Sequence, residues 1–297
     1  MKISFIFFIV IILFGSCMKE IPLNEEAMIS KLVVNSIITP DSAINVQITK
    51  TIPITSNEPR EVLNAIVSLY EEGNLIDTLF NKNDGFYMLG KFPEIGKLYE
   101  LKVDADGFNS VSTKEIIPSG TTKITECTFH GPVGYDAEND CETNEVNIKF
   151  NDNGNEKNYY EIIFYSLINN KKHFSYQNGI YDNPILNNEG DKDYYPSSIF
   201  FCDELFNGKE CNFTIKATIR KPDADNKLFV ILRTTSYNYY KYRKLWTRHY
   251  QNQSITEYHS FQDIFKGEPI EMFTNVSNGY GIFAGYSEDE KEVIVIP

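Results

Sequence analysis

The stretch KLVVNSIITPDSAINVQITKT, residues 31–51, decides the fold class. Its second half, residues 44–51, alternates apolar and polar side chains, and a period of two is the pattern of a half-buried β-strand. Its first half, residues 31–39, is another strand candidate, and the turn residues Pro40, Asp41 and Ser42 separate the two. The stretch therefore predicts two consecutive short strands.

The segments that follow continue this pattern up to residue 119. AIVSLYEEGNLIDTLF, residues 65–80, predicts a hairpin with its turn at residues 71–74, where Gly73 can adopt a positive φ. GFYMLG and KLYELKVDADGF add further strands, with turn residues about every ten positions. This spacing is typical of an antiparallel sandwich. We therefore predict an Ig-like antiparallel β-sandwich over residues 29–119.

A second β-rich domain is predicted for residues 120–297. The boundary lies in IIPSGTTKI, residues 116–124, where Pro, Ser and Gly follow the last predicted strand. Beyond it, strands are predicted at residues 145–150, 158–168, 211–220 and 227–236, and in the closing segments GYGIFAGYS and EVIVIP. The glycines of GYGIFAGYS favour close sheet packing or a bulge over a ligand cradle. The whole chain is predicted to be mainly β.

One helix is predicted near residues 237–252. Tyr239, Tyr242, Trp246 and Tyr250 recur at steps of three and four residues, which indicates an amphipathic helix. The Lys and Arg residues of this segment fall mostly on the other face, and we interpret them as a solvated helix side rather than an anion-binding patch.

The composition excludes one large class of partner. The formal net charge is −13 at pH 7, whereas nucleic-acid binding needs clustered Lys and Arg to contact phosphates. We expect no nucleic-acid partner. The chain also carries 19 Tyr and 21 Phe against a single Trp, which suits sheet surfaces where a ring packs and its hydroxyl stays solvated.

The first residues predict an export signal and a lipid anchor. Lys2 precedes a dozen uncharged, mostly apolar residues, and Gly15 and Ser16 lead directly to Cys17. This order resembles a bacterial lipobox, in its looser Bacteroidetes-type form, and implies a signal peptide at residues 1–16 with palmitate-type acylation of Cys17. Residues 17–28 would then be a tether. The alternative is an ordinary secreted protein in which this cysteine is incidental.

Four further cysteines predict two disulfides. An even number of cysteines in an exported chain indicates a disulfide framework. Of the three pairings that four cysteines allow, we favour the local one, Cys127–Cys141 and Cys202–Cys211.

Candidate chemistry in the sequence is sparse. The four histidines show no metal-binding spacing, and no nucleophile elbow or phosphate loop is present. Acidic loops could offer calcium oxygen ligands, with Asp191 and Asp193 or Asp223 and Asp225 as the weak candidates. We interpret each loop as solvated instead. The prediction is therefore a protein without catalytic residues or cofactor, and the ligand-binding residues stay unknown.

Several segments, in order, carry a family resemblance. LVVNSIITPDSAINVQIT, NAIVSLYEEGNLIDTLF, FFCDELFNGKECNFTI, LRTTSYNYYKYRKLW and the closing EPIEMFTNVSNGYGIFAGYS are similar to segments of a lipoprotein family of unknown function, domain of unknown function 4249. The resemblance implies a Bacteroidetes-type outer-membrane lipoprotein whose gene commonly neighbours that of a TonB-dependent receptor. It implies no catalytic residues. Residues 29–119 also resemble the carboxypeptidase-regulatory or prealbumin-like class of β-sandwich, which implies fold alone.

The expected function follows from the anchor and this resemblance. We expect a non-catalytic protein held by lipid on the outer membrane, at the cell surface or on the periplasmic face. It would bind a ligand or act as accessory partner of a TonB-dependent nutrient transporter. The alternatives are a structural or adhesive surface protein and, less favoured, a surface hydrolase of glycans or peptides with paired carboxylates.

Overall fold

The computed structural model describes residues 29–53, 56–137, 140–174, 179–180, 183–189, 198–217, 221–223, 225–253 and 270–296. In this part the chain forms eighteen strands and two helices, so the prediction of a mainly β fold is confirmed.

The first eight strands build a β-sandwich. They are β1 (Leu32–Ile38), β2 (Ile44–Lys50), β3 (Ile66–Glu71), β4 (Asn74–Thr78), β5 (Phe80–Asn83), β6 (Phe86–Leu89), β7 (Leu98–Asp104) and β8 (Val111–Ile116). One layer is a four-stranded sheet in the order β4-β3-β7-β8, and the other contains β1-β2-β6-β5. Alternate side chains of both layers point into one core, as with Val34, Val46, Leu69 and Leu101, all of which are buried. The predicted sandwich is therefore present.

The later strands build a second sandwich. They are β9 (Ile124–Asp136), β10 (Cys141–Asn151), β11 (Tyr159–Ile168), β12 (Lys171–Phe174), β13 (Gly179–Ile180), β14 (Ile199–Cys202), β15 (Glu210–Ala217), β16 (Asn226–Thr235), β17 (Tyr280–Glu292) and β18 (Ile294–Val295). A five-stranded sheet, β13-β15-β10-β9-β18, faces β11, β14 and β16. The core between them is rich in aromatic rings, and Phe201 stacks on Phe213 with centroids 4.8 Å apart.

Strand β17 joins the two sandwiches into one large sheet. It pairs in parallel with β1 and antiparallel with β16, which gives the order β12-β11-β16-β17-β1-β2-β6-β5 with β14 beside β11. Gly281 makes the parallel pairing close, because its φ is +111° and a Cβ there would overlap the carbonyl oxygen of Val34. The close packing expected for these glycines is confirmed. The division at residue 119 stays a prediction, but the sheet is continuous across it.

The two helices are α1 (Pro184–Glu189) and α2 (Tyr237–Gln253). Helix α2 matches the predicted helix, and it begins after Ser236, whose Oγ accepts a hydrogen bond from the backbone N–H of Tyr239 at 3.2 Å. The helix packs on the outer face of the large sheet, where Tyr239 is buried against Ile282 and Ala284.

The prediction of an aromatic face and a solvated basic face on α2 is correct only in part. Tyr239 and Tyr242 pack on the sheet, whereas Trp246 and Tyr250 stack on each other with centroids 5.3 Å apart and are exposed. The basic side chains are not simply solvated, because Arg243 and Lys244 reach carboxylates beneath the helix. The prediction of a purely solvated basic side was therefore wrong for these two residues.

Candidate functional site

A groove of about 570 Å³ lies on the outer face of the large sheet, beside α2. Strands β17, β1, β2 and β6 form its floor and the helix forms one wall. Its lining is Asn35, Ser36, Ile37, Ser42, Ala43, Asn45, Gln47, Phe86, Met88, Tyr242 and Ile282. This size is within the range of small-ligand sites in proteins.

Strand register explains how these side chains meet. Asn35 of β1 pairs with Gln47 of β2, and Gln47 in turn pairs with Phe86 of β6. Two positions earlier on β2, Asn45 pairs with Met88 of β6. Paired residues lie on the same face of a sheet, and side chains two positions apart on a strand share that face. Three carboxamides therefore cluster on the groove floor, with an aromatic ring and a thioether at one side.

The carboxamides have no protein partner in the described part of the chain. No side-chain hydrogen bond of Asn35, Asn45 or Gln47 to another described residue is present, nor is there one from the Tyr242 hydroxyl. Each carboxamide offers two N–H donors and a carbonyl acceptor. The groove therefore presents several open donors and acceptors to whatever enters it.

Among the described residues that line the groove there is no Asp, Glu, Lys or Arg, although the chain carries 41 acidic and 28 basic residues. Tyr242 is the only ionisable side chain among the described lining residues. A tyrosine hydroxyl is neutral at physiological pH, and burial raises the pKa of this phenol further, partly offset by the nearby Arg243 guanidinium. The described lining thus combines apolar side chains with uncharged polar ones.

A buried charge network holds α2, and with it Tyr242, in place. The fully buried Glu161 of β11 accepts hydrogen bonds from Tyr239 at 2.7 Å and from Arg233 Nη1 at 3.0 Å. Its other oxygen accepts one from the Ser198 hydroxyl at 2.6 Å and lies 3.6 Å from Arg243 Nη2. The buried carboxylate is therefore fully partnered, as burial of a charge requires.

The network extends to the neighbouring strand. Arg233 also donates to Glu288 of β17 at 2.8 Å, and its guanidinium lies 4.1 Å from the ring centroid of Tyr286. Two carboxylates thus face the two arginines, Arg233 and Arg243, across the helix–sheet junction. Removing one partner from such a network leaves an uncompensated buried charge.

Two more carboxylates contact α2 or the residue before it, one near the middle of the helix and one at its start. Glu189 of α1 accepts from Lys244 Nζ at 2.7 Å and from the backbone N–H of Cys202 at 2.8 Å. Glu115 of β8 is buried near the start of α2, where it accepts from Ser236 at 2.9 Å and Asn238 at 3.1 Å. Neither carboxylate lines the groove.

The calcium candidates do not form a metal site in the described residues. Asp223 Oδ1 accepts the backbone N–H groups of Asp225 and Asn226, both at 2.9 Å, and so closes its own turn. Asp191 and Asp193 lie outside the described residues. Within the described ranges, no group of three or more His, Cys, Asp or Glu side chains is arranged to hold a metal ion.

The predicted pair Cys127–Cys141 is not formed, because Cys127 is a free, buried thiol. Strand register gives the reason. Cys127 pairs with Ile148, whereas Cys141 pairs with Asp136, nine positions further along β9. That separation is about 30 Å along a strand. A disulfide needs Cα atoms roughly 4.4–6.8 Å apart.

The predicted pair Cys202–Cys211 is not formed either, since both thiols are free. Phe201 and Cys211 belong to the core of the second sandwich, and alternation along β14 turns Cys202 to the opposite face of the sheet. Burial raises the pKa of Cys211 to about 12, and it also raises the pKa of Cys202. These thiols are structural rather than reactive.

The groove residues were not predicted as a site. One signal was available, because the outward positions of β1 and β2 carry uncharged amides where a solvated strand usually carries charge. That signal became specific only when the fold placed Asn35, Asn45 and Gln47 beside Phe86 and Tyr242. The predicted signal peptide, the tether and Cys17 lie outside the described residues. Neither helix of the described part is long and apolar enough to cross a bilayer.

The two sandwiches, their shared sheet and the helix that covers its outer face define a mainly β protein. A family model, the domain of unknown function DUF4249, matches residues 19–292, and the chain belongs to this family. The resemblance expected from the ordered segments is thereby confirmed.

Comparison with curated proteins finds no match. Among solved structures, the chain is similar to a protein described as membrane-anchored, from Corynebacterium diphtheriae, with 16% identity and a TM-score of 0.21 over 72% of this chain. The match spans 56% of the length of that protein. A second is CBD12 from CALX1.2, with 8% identity, a TM-score of 0.18, and coverage of 90% of this chain and 100% of that one. These scores are too low to carry an argument.

Proposed function

We propose that this protein is a non-catalytic binding protein, anchored by lipid to the outer membrane, that captures a ligand in the uncharged groove. It does so as the accessory partner of a TonB-dependent transporter. The observation that carries this proposal is the set of three carboxamides that share one groove floor, Asn35, Asn45 and Gln47, and that have no hydrogen-bond partner in the described part of the chain. Open donors and acceptors in a concave site are what a binding protein needs.

The state of the buried carboxylates supports binding over hydrolysis. A glycoside hydrolase of the usual kind needs two carboxyl groups that face its substrate in a cleft. Glu161 and Glu189 instead bind arginine, lysine, hydroxyl and backbone partners beneath α2. Asp203, which is also buried, accepts the backbone N–H of Asn158 at 2.8 Å. These groups serve the fold.

The order of residues at the start of the chain supports the lipid anchor. A short apolar run, then Gly15 and Ser16, then Cys17, is the arrangement that exposes a thiol for acylation after export. Several acyl chains hold a protein stably on a membrane, because each buried methylene contributes about 0.8 kcal/mol. We place the anchored protein at the cell surface, with the periplasmic face as the alternative.

Labelling of the full-length chain tests the anchor. Cells that express it are fed an alkyne analogue of palmitate, and the membrane fraction is probed for label. We expect the wild type to carry label in the outer membrane and Cys17→Ser to lose both the label and the membrane association. Met18→Ala, which keeps the thiol, is the matched control. Unlabelled wild type released into the medium would overturn the anchor.

Purification from native membranes tests the partner. We expect the acylated wild type to copurify with a stoichiometric outer-membrane β-barrel of the TonB-dependent class. Cell–cell binding without any barrel partner would favour the adhesive alternative instead. Turnover of a glycan or peptide by the purified protein would favour the hydrolase.

A further inference from the structure

We propose that the groove beside α2 binds a neutral oligosaccharide. This inference rests on the proposed function, because it assigns a ligand class to the groove of a binding protein. The observations that carry it are the carboxamides on the floor, which have no partner among the described residues, the exposed ring at one side and the lack of a charged side chain in the described lining.

The lack of charge selects an uncharged ligand. A phosphate, a carboxylate or an ammonium group loses its hydration on entering a groove, and it needs an opposite charge there to compensate. The described lining offers none, and the Tyr242 phenol is neutral at physiological pH, as an ordinary tyrosine is. The chain as a whole carries a net charge of −13, so the lack of charged side chains in the described lining is specific to this part of the surface.

The carboxamides select a ligand rich in hydroxyl groups. A hydroxyl both donates and accepts a hydrogen bond, and a carboxamide offers both partners from one planar group. Asn35 and Gln47 are direct cross-strand neighbours, about 5 Å apart at Cβ. Asn45 lies two positions from Gln47, or about 7 Å along β2. Three such groups at this spacing can bind several hydroxyls of one sugar unit and its neighbour. A purely apolar ligand would leave all three amides buried and unbonded.

The aromatic side of the groove suits the apolar face of a sugar ring. The side chain of Phe86 is 37% exposed on the outer face of the sheet. Met88 lies two positions further along β6 and shares that face. Phe80 continues the apolar surface on β5, where it pairs with Met88. Tyr242 lines the groove from the helix, and its hydroxyl makes no hydrogen bond to another described residue. An aromatic ring with adjacent hydrogen-bonding groups offers an apolar face and polar edges together.

A peptide is the less suitable occupant. Extended peptides are commonly bound by adding a strand to an exposed sheet edge, because main-chain hydrogen bonds supply much of the affinity. The groove floor offers no edge, since β1, β2 and β6 each have a strand paired on both sides. Only side chains are available there, and those side chains match hydroxyls.

Binding measurements on the full, acylated chain test the inference. The protein is kept in lauryldimethylamine oxide micelles, because detergents with sugar headgroups would compete for the groove. It is screened against immobilised neutral, sulfated and uronate-bearing oligosaccharides and against a peptide set, and the best ligand is titrated by calorimetry. We expect a neutral oligosaccharide to bind, and its sulfated or uronate-bearing counterpart to bind at least tenfold more weakly.

Variants assign the binding to the groove. We expect Gln47→Leu and Phe86→Ala each to weaken the binding of that oligosaccharide about tenfold or more. Leu75→Ala, which removes an exposed apolar side chain from the four-stranded sheet, should leave the affinity within twofold. Circular dichroism spectra and unfolding midpoints are measured to check that each variant is folded.

The outcomes test two separate claims, the oligosaccharide ligand of the groove and the proposed cellular role. Preferred binding of anionic glycans or of peptides, or equal binding by the groove variants, would overturn the oligosaccharide assignment. If a peptide binds and Gln47→Leu weakens it, the protein is still a binding protein and only the ligand class is wrong. An unacylated wild type, or one without a barrel partner, would overturn the proposed cellular role even where neutral glycan binding is observed.

Discussion

The carboxylate of Glu115 accepts a hydrogen bond of 2.9 Å from the hydroxyl of Ser236, the residue that caps α2. This contact joins the last strand of the first sandwich to the helix on the shared sheet, across 121 positions of the chain. Glu115 forms no ion pair with a described Lys, Arg or His residue. Burial therefore raises its pKa to about 7, although hydrogen bonds from Ile116, Asn238 and Ser236 partly oppose this effect.

This pKa predicts a stability that falls as pH rises. The folded state holds its proton more tightly than the unfolded chain, whose glutamate has the ordinary pKa of 4.5. The contribution is complete below pH 4.5 and is lost as pH rises to about 7, with an upper bound of about 3 kcal/mol. We expect Glu115→Gln to remove this pH dependence, so that the variant is more stable than wild type at pH 8.

Urea unfolding at pH 5 and pH 8 checks the prediction. Glu58→Gln, at an exposed glutamate, should keep the pH dependence of the wild type. If the free energy of unfolding falls by the same amount from pH 5 to pH 8 in wild type and in Glu115→Gln, Glu115 is not the group responsible for the pH dependence.

The Glu161 network predicts a large cost for removing one partner. Glu161→Ala leaves Arg233 without one of its two carboxylates and Tyr239 without its acceptor in a buried place. Breaking a buried ion pair costs about 3–5 kcal/mol in general. We expect a loss of that size in the free energy of unfolding, measured with urea. Glu58→Ala breaks the exposed pair with Lys50 and should cost less than about 1 kcal/mol. Similar losses in both variants would show that the network does not hold the helix.

The parallel contact between β1 and β17 depends on the absence of a side chain at Gly281. An alanine there would be strained at φ +111° and would overlap the Val34 carbonyl. Strain and overpacking together should cost about 3–4 kcal/mol. Gly107→Ala is the matched control, because Gly107 also has a positive φ, +83°, but has open space around its Cβ position. It should cost about 1–2 kcal/mol. Thermal unfolding of both variants makes the comparison, and equal midpoints would contradict it.

The aromatic core of the second sandwich predicts a further contrast. Phe201 is fully buried, and it stacks on Phe213 and packs near Phe150 and Tyr160. Phe201→Ala should cost about 3–5 kcal/mol, since it removes a ring and leaves a cavity. Phe92→Ala, at a ring that is 56% exposed, should change stability by about 0.5 kcal/mol or less. Urea midpoints at constant slope test this, and a small loss for Phe201→Ala would mean that the core collapses around the gap.

Local elements could be predicted closely from the sequence where the pattern was strong. The alternation in residues 44–51 predicted β2, observed at Ile44–Lys50, and the aromatic repeat predicted α2, observed at Tyr237–Gln253. Both signals are local, because each depends on side-chain period within a few turns or pleats. The long strand β9 was missed, as were several short or fully buried elements. β14 has four consecutive buried residues and therefore no alternation to detect.

Long-range relationships could not be predicted in this way. Nothing near Val34 indicates that Gly281 will lie against it, and the predicted disulfides assumed that cysteines near in sequence are near in space. The hairpin of β9 and β10 shows the opposite, since its register separates Cys127 from Cys141. The groove also needed the fold, because it combines residues from four strands and one helix that are distant along the chain.

The place of β17 has a consequence for how the protein is made. Because the chain is made from its N-terminus, β1–β8 emerge long before β17. Strand β17 contributes Phe283 to their core and pairs with the edge of β1. Until then the early strands keep an unpaired edge, which is a template for association with other chains. Contacts between distant segments also form slowly. We therefore expect folding of the first sandwich to finish only once β17 is available, and expect chaperones to shield the free edge of β1 in the meantime.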